Sequence, residues 1–189
     1  MKRLLMAFIV LFVIETGCGN QPTAENKPMV LTEGVKPPTM CDRAAFTIMG
    51  TSCRMTPSEE TGENYAKIWS DFERYNEQLK QISTDKKYYG ATFNTQQTGQ
   101  IDYVTAMVVP EGTEAIDQGL VVRKVPAAQY AVFECPVEKI GQMYQYIMSE
   151  WLPTSPYTMS FTAPSFEEYP PEGQDDPVCI YIPVTKKGE

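Results

Sequence analysis

The sequence predicts an α+β domain made of two halves with the same order of elements, β-α-β-β. Three observations carry this. Strand-like and helix-like stretches between residues 44 and 184 follow one order twice. Each half holds a single long apolar stripe at helical spacing, flanked by short runs rich in β-branched and aromatic residues. The length, 189 residues with 42% hydrophobic and 21% charged, suits one domain plus a short extra segment. Neither half alone covers both its helix and its sheet, so the two are expected to pack together.

The N-terminus reads as an address. Met1-Lys2-Arg3 is basic, and Leu4 to Ile14 is an unbroken apolar run of 11 residues, too short to span a bilayer comfortably. Gly17-Cys18 at its end resembles a lipobox, with residues 1–17 removed and Cys18 lipidated. Glu15 departs from that pattern, and ordinary secretion with an incidental cysteine is the alternative. Residues 18–40, spotted with Pro22, Pro28, Gly34, Pro37 and Pro38, read as a tether before a domain over 41–187. The expected location is therefore that of an exported, membrane-anchored lipoprotein, facing the periplasm or the cell surface.

In the first half, Ala45 to Gly50, continuing toward Arg54, reads as a strand. Tyr65, Ile68, Trp69, Phe72, Tyr75, Leu79 and Ile82 form a helical stripe, with a cap around Thr56-Pro57-Glu59 or a later start at Thr61. Tyr88 to Phe93 and Ile101 to Val109 close the half as two strands. In the second, Leu120 to Phe133 is a long strand with a break at Pro126. Val137, Ile140, Met143, Tyr144, Ile147, Met148 and Trp151 are the next helical stripe, stopped by Pro153. Met159 to Tyr169 is extended but interrupted by Pro164, and Pro177 to Val184 is the last strand.

Composition excludes several functions. There is no histidine, which removes Ser-His-Asp and Cys-His catalysis and His-ligated zinc or haem. A net charge of −8 repels phosphate backbones, so no nucleic-acid partner is expected, whereas cationic ligands suit an acidic cleft. Four cysteines remain beside Cys18 and no C-x-x-C pair occurs, so neither a metal nor a dithiol centre is supported, and no cofactor is expected. Cys41 and Cys53 sit too far apart along one extended stretch to bond, while Cys135 and Cys179 lie on strands that could be neighbours.

Four motifs of the second half carry a resemblance. They are Val125-Pro126-Ala127-Ala128-Gln129-Tyr130-Ala131-Val132-Phe133, then Tyr144-Gln145-Tyr146-Ile147 with Glu150-Trp151-Leu152-Pro153, then Ala163-Pro164-Ser165-Phe166-Glu167-Glu168-Tyr169, then Val178 to Val184. In the first half Gly50, the Trp69 helix and the Tyr103 strand match. Together they resemble the gyrase-inhibitor-like (GyrI-like) effector-binding domain, found at the C-terminus of many AraC-type and some MerR-type regulators. The resemblance implies two β-α-β-β repeats about a pseudo-twofold axis, an antiparallel sheet with two helices, and a groove between the halves for small, often aromatic and cationic, molecules. It also implies a buried acid in that groove, matched here by Glu167. Those regulators place a helix-turn-helix before this domain, where this sequence reads as signal peptide and tether, so regulation of transcription is not expected.

Period-two alternation places Glu167 and Tyr169 on one face of their strand, with Phe166 and Glu168 on the other. A carboxylate beside a phenol ring is half of a cation cage. Tyr103 and Tyr181 on the closing strands, with Tyr89 and Phe93, are further candidate ligand-binding rings, whereas Trp69 and Trp151 read as core. The competing reading makes Glu167 and Glu168 solvated edge charges. Three functions are thus in play: a binding module for a hydrophobic or cationic small molecule, a hydrolase in which Glu167 is the general base, and an envelope domain that binds a protein partner.

Overall fold

The computed structural model describes residues 35–56, 62–95, 99–172, 174–175 and 177–188. The expected signal peptide, Cys18, most of the expected tether, Pro57, Glu59 and Thr61 lie outside the described residues. The first half comprises β1 (Thr39–Arg43), β2 (Phe46–Met55), α1 (Gly62–Glu73), α2 (Asn76–Ile82), β3 (Tyr88–Asn94) and β4 (Ile101–Val109). The second comprises β5 (Val121–Val125), β6 (Ala128–Cys135), α3 (Ile140–Tyr146), α4 (Leu152–Thr154), β7 (Tyr157–Met159), β8 (Ser165–Tyr169) and β9 (Val178–Lys186).

All strand pairs are antiparallel, in the order β1-β6-β9-β8-β3-β4-β2-β5, with β7 pairing β9. The two halves are laid out alike: β4 lies between β2 and β3, as β9 lies between β6 and β8. They join where β3 meets β8, with Tyr88 opposite Tyr169, Gly90 opposite Glu167 and Thr92 opposite Ser165. This is the α+β fold of two related halves that the sequence predicts, with one addition. Each half has a leading strand, β1 or β5, that crosses to pair with the other half. The ladder does not slip at this crossing: Arg43 faces Ala128 and Phe46 faces Val125. Two long, bent strands therefore run side by side, and the path of strands returns to its start.

The break at Pro126 serves this geometry. Proline offers no N–H to a ladder, so β5 ends there and β6 resumes two residues later. Pro164 stands immediately before β8, so that strand begins only at Ser165. β1 escapes the sequence reading because Thr39-Met40-Cys41-Asp42-Arg43 is polar and mostly exposed; its first two residues belong to the expected tether. The expected single helices are each divided. The first breaks at Arg74 and Tyr75, where the Tyr75 N–H donates to Phe72 O at 2.9 Å. The second runs from α3 through a π-helical turn (Ile147–Trp151) into α4, so Pro153 lies inside the last turn rather than beyond it.

The helices lie on one face of the sheet. Tyr65 and Ile68 of α1 pack with Ile140, Met143 and Tyr144 of α3 over Tyr103, Phe133, Ile180 and Ile182. Trp69 meets Tyr169 edge-on at 5.1 Å, and Trp151 meets Phe133 at 5.0 Å, so both tryptophans are packing residues as expected. The opposite face gathers a second cluster, with Ile48, Tyr89, Val104, Tyr130 and Phe166. The cysteines 41, 53, 135 and 179 are all free thiols. Cys135 faces Val178 while Cys179 faces Glu134, so neighbouring positions carry these two to opposite faces and a bridge is geometrically barred.

Gly50 sits where β2 passes closest to β4. A Cβ there would lie 2.6 Å from Ala106 Cα and on top of the Thr105 carbonyl oxygen. Both obstacles are backbone of a central strand and cannot swing aside. Gly50→Ala is expected to lower the unfolding free energy by about 1–3 kcal/mol, as overpacking does. Urea denaturation measures it, and a loss below about 0.5 kcal/mol, the scale of an innocuous substitution, contradicts the close approach.

Candidate functional site

Strand β8 turns one carboxylate to each face of the sheet. Glu167 faces the helices and is only 2% exposed. Its Oε2 accepts a hydrogen bond from the Tyr103 hydroxyl of β4 at 3.3 Å, and its Oε1 a short one from the Tyr144 hydroxyl of α3. Tyr65 of α1 stands edge-on to Tyr103 at 4.8 Å and 82°. Tyr169 shares the face and abuts Trp69. Both halves, and helices from each, thus converge on a single acid.

The convergence needs Gly90, the residue opposite Glu167. A Cβ at that position would lie 2.5 Å from Glu167 Oε2 and closer still to the Tyr103 hydroxyl. The missing side chain is the space in which carboxylate and phenol meet.

Burial pushes the Glu167 carboxyl up to about 7, against the two phenol hydrogen bonds that favour the charged form. The phenols of Tyr103, Tyr144 and Tyr169 are held well above their usual range, by burial first and by the nearby carboxylate second. Burial, helped by Glu167, also raises the Cys135 thiol to about 12, so this cysteine is an inert packing group. The site is therefore an acid poised near neutrality, ringed by neutral donors and aromatic walls. Beside it a cleft of about 340 Å³ opens between α1 and β2, lined by Cys53, Met55, Asn64, Ile68 and Asp71 among others. Met55 and Ile68 belong to the cluster that holds Tyr65 and Tyr103, and the cleft stops short of Glu167.

Of the candidate ligand-binding residues, Glu167, Tyr169 and Tyr103 come together. Tyr181, Tyr89 and Phe93 do not: they belong to the cluster on the opposite face. Tyr181 is in register with Phe166 and stacks on it at 4.4 Å and 15°. Tyr89 is in register with Glu168. Glu168 points away from Glu167, as the alternation requires, but not into water. It is 8% exposed and paired with Arg43 at 2.7 Å and Lys87 at 2.6 Å. The reading of the two acids as solvated edge charges therefore fails for both. Tyr65 and Tyr144 are site residues that the sequence reading places in the helical core stripes, where no feature separates them from packing rings.

The poised acid makes stability depend on pH. The folded-state value of about 7 lies above the ordinary 4.5, so folding favours the protonated carboxyl. Its contribution is complete below the unfolded value and is lost as pH rises toward the folded value. Stability is expected to fall from pH 5 to pH 8 by about 3 kcal/mol from this group, and Glu167→Gln should flatten the profile. Tyr144→Phe removes a donor to the carboxylate and should move its titration higher still. Carboxyl NMR titration and urea midpoints across pH measure both; a Glu167 titrating near 4.5 contradicts the burial.

Comparison with known proteins agrees with this architecture. A family model described as an integron-associated effector binding protein, Cass2, matches residues 41–184. Among solved structures, the integron cassette protein VCH_CASS2 from the mobile metagenome of Vibrio cholerae is 19% identical, covering 80% of this chain and 97% of its own, with a TM-score of 0.54. SAV2435, solved bound to tetraphenylphosphonium, is 17% identical over 79% of this chain and 94% of its own, with a TM-score of 0.60. The EcmrR C-terminal domain is 11% identical over 81% and 99%, with a TM-score of 0.57. At these identities the likeness is one of fold. A search of curated protein sequences returns no match. With the family model spanning both halves of the sheet and the acid between them, the chain belongs to the Cass2 family of effector-binding proteins and carries a GyrI-like effector-binding domain.

Proposed function

We propose that the chain captures a lipophilic, aromatic cation at Glu167 and does so from the cell envelope, held there by a lipid on Cys18. The observation that carries the first part is the buried Glu167 carboxyl among Tyr65, Tyr103, Tyr144 and Tyr169. An ionised carboxylate shut off from water is costly, and a ligand that brings positive charge and ring surface relieves that cost while gaining ring-face contact. The tetraphenylphosphonium bound by SAV2435 has this chemistry. The second part rests on the basic start, the apolar run and Gly17-Cys18.

Glu167→Gln keeps the shape and removes the charge. It is expected to weaken tetraphenylphosphonium by about 1–3 kcal/mol, the scale of a charge-assisted contact, and a neutral analogue such as triphenylphosphine oxide much less. Wild-type affinity for the cation should rise between pH 6 and pH 8 as the carboxyl ionises. Calorimetry with both compounds decides this, and equal losses for the two remove the charge from the explanation. For the anchor, Cys18→Ser should move the protein from the membrane fraction to the soluble one.

A second reading is favoured by the same carboxyl, because a group titrating near 7 suits a general base. Glu167 would then draw a proton from water attacking a small reactive compound. Turnover of an electrophilic strained-ring substrate that disappears in Glu167→Gln, without loss of ligand binding, would select this reading over simple capture.

A further inference from the structure

The second carboxylate of β8 faces an arrangement that no part of the Glu167 site uses. On the face opposite the helices, the Arg43 guanidinium lies 4.5 Å from the Phe46 ring centre, 4.9 Å from Tyr181 and 5.0 Å from Phe166. Its Nη1 donates to Glu168 Oε2 at 2.7 Å and its Nη2 to the Tyr89 hydroxyl at 3.1 Å. Tyr89 donates in turn to Asp85 at 2.7 Å, which leaves the phenol oxygen free to accept from Arg43. Lys87 holds the other oxygen of Glu168 at 2.6 Å. Tyr130, wholly buried, packs its ring 5.3 Å from Phe166, and its hydroxyl has no partner among the described residues.

These parts match one chemical group. Ring faces attract a delocalised cation, a carboxylate oxygen takes one N–H, and a neutral oxygen takes a second in the same plane. A planar fork of donors satisfies all three at once; a compact ammonium can meet the carboxylate and a ring face, but has no flat fork to lie between the walls while bonding both oxygens. The contributing residues come from three separate stretches of the sequence. Arg43 comes from β1, Phe46 from β2, Tyr89 from β3, Phe166 and Glu168 from β8, and Tyr181 from β9.

We propose that this face is a second cation-recognition site, selective for the guanidinium group, with Arg43 as its built-in occupant docking the leading strand β1 to β8. The site stands apart from the reading of Glu167, since it shares no side chain with it. A free guanidinium compound gains entry only when Arg43 is absent.

The experiment is chemical rescue on the full chain. Arg43→Ala should lower the melting temperature by several degrees. n-Propylguanidinium at millimolar concentration should restore much of that loss, saturably, while leaving the wild type unmoved. The neutral n-propylurea and the compact n-propylammonium should restore little, and Arg43→Ala combined with Glu168→Gln should not respond. Equal rescue by all three compounds, rescue that survives the loss of Glu168, or no rescue at all would each overturn the proposal. If Arg43→Ala does not fold, its refolding yield with n-propylguanidinium against n-propylurea becomes the readout, and equal yields overturn it as well.

Discussion

Two adjacent carboxylates, both removed from water, set the terms for everything around β8. A strand alternates its faces, so Glu167 and Glu168 could not share a solution to their burial. Glu168 is met by opposite charge: burial alone would raise its carboxyl, but Lys87 and Arg43 outweigh it and hold the group below its ordinary value. Glu167 has no cation near it among the described residues and is met by phenol donors, which only partly offset burial. The same residue type, one position apart, is locked in its ionised form on one face and balanced between two forms on the other. That asymmetry separates a structural ion pair from a group able to respond to a ligand.

The fold serves the asymmetry through close approach. Gly90 must lack a side chain for Tyr103 to reach Glu167, and Gly90 stands opposite Glu167 because β3 and β8 join the halves in that register. The acid therefore lies at the seam of the two repeats, where neither half alone could enclose it. Tyr103 arrives from one half and Tyr144 from the other. A repeat architecture with one acid turned to the helix side of its seam yields a site whose walls resemble each other but whose charge is carried by one strand.

The strands, the two helical stripes and the face of Glu167 were legible in the residues, because period two, period 3.6 and the prolines at 126 and 164 are local signals. The resemblance in the second half then marked Glu167 out from other acids. What was hidden depends on register. Tyr181 looks as good a partner for Glu167 as Tyr103 does, until β9 is seen to place it opposite Phe166. One residue of slip would exchange the faces, and nothing local to either strand records the choice. β1 was hidden for another reason: it pairs with β6 from the opposite half, so its polar residues answer to distant neighbours. Arg43, which lies just ahead of the first strand the sequence predicts, fills a cage assembled from four other strands.

On the capture reading, this division of labour also says which layer must yield to admit a ligand. β8 is held by ladders to β3 on one side and β9 on the other, and the crossing strands close the sheet upon itself. Moving β8 would break backbone hydrogen bonds on both flanks and drag Glu168 out of its ion pairs. The helices carry no such ladder to the sheet; side-chain packing and scattered side-chain hydrogen bonds, that of Tyr144 among them, hold them. They are also already irregular, with a break at Arg74 and Tyr75 in one and a π-helical turn over Ile147–Trp151 in the other. Withdrawal of α3 would take Tyr144 from Glu167 and remove one of the two phenol donors that stabilise its charge. A bound cation would then have to supply more than that hydrogen bond did, so the tyrosine sets a threshold that weak or uncharged ligands do not reach.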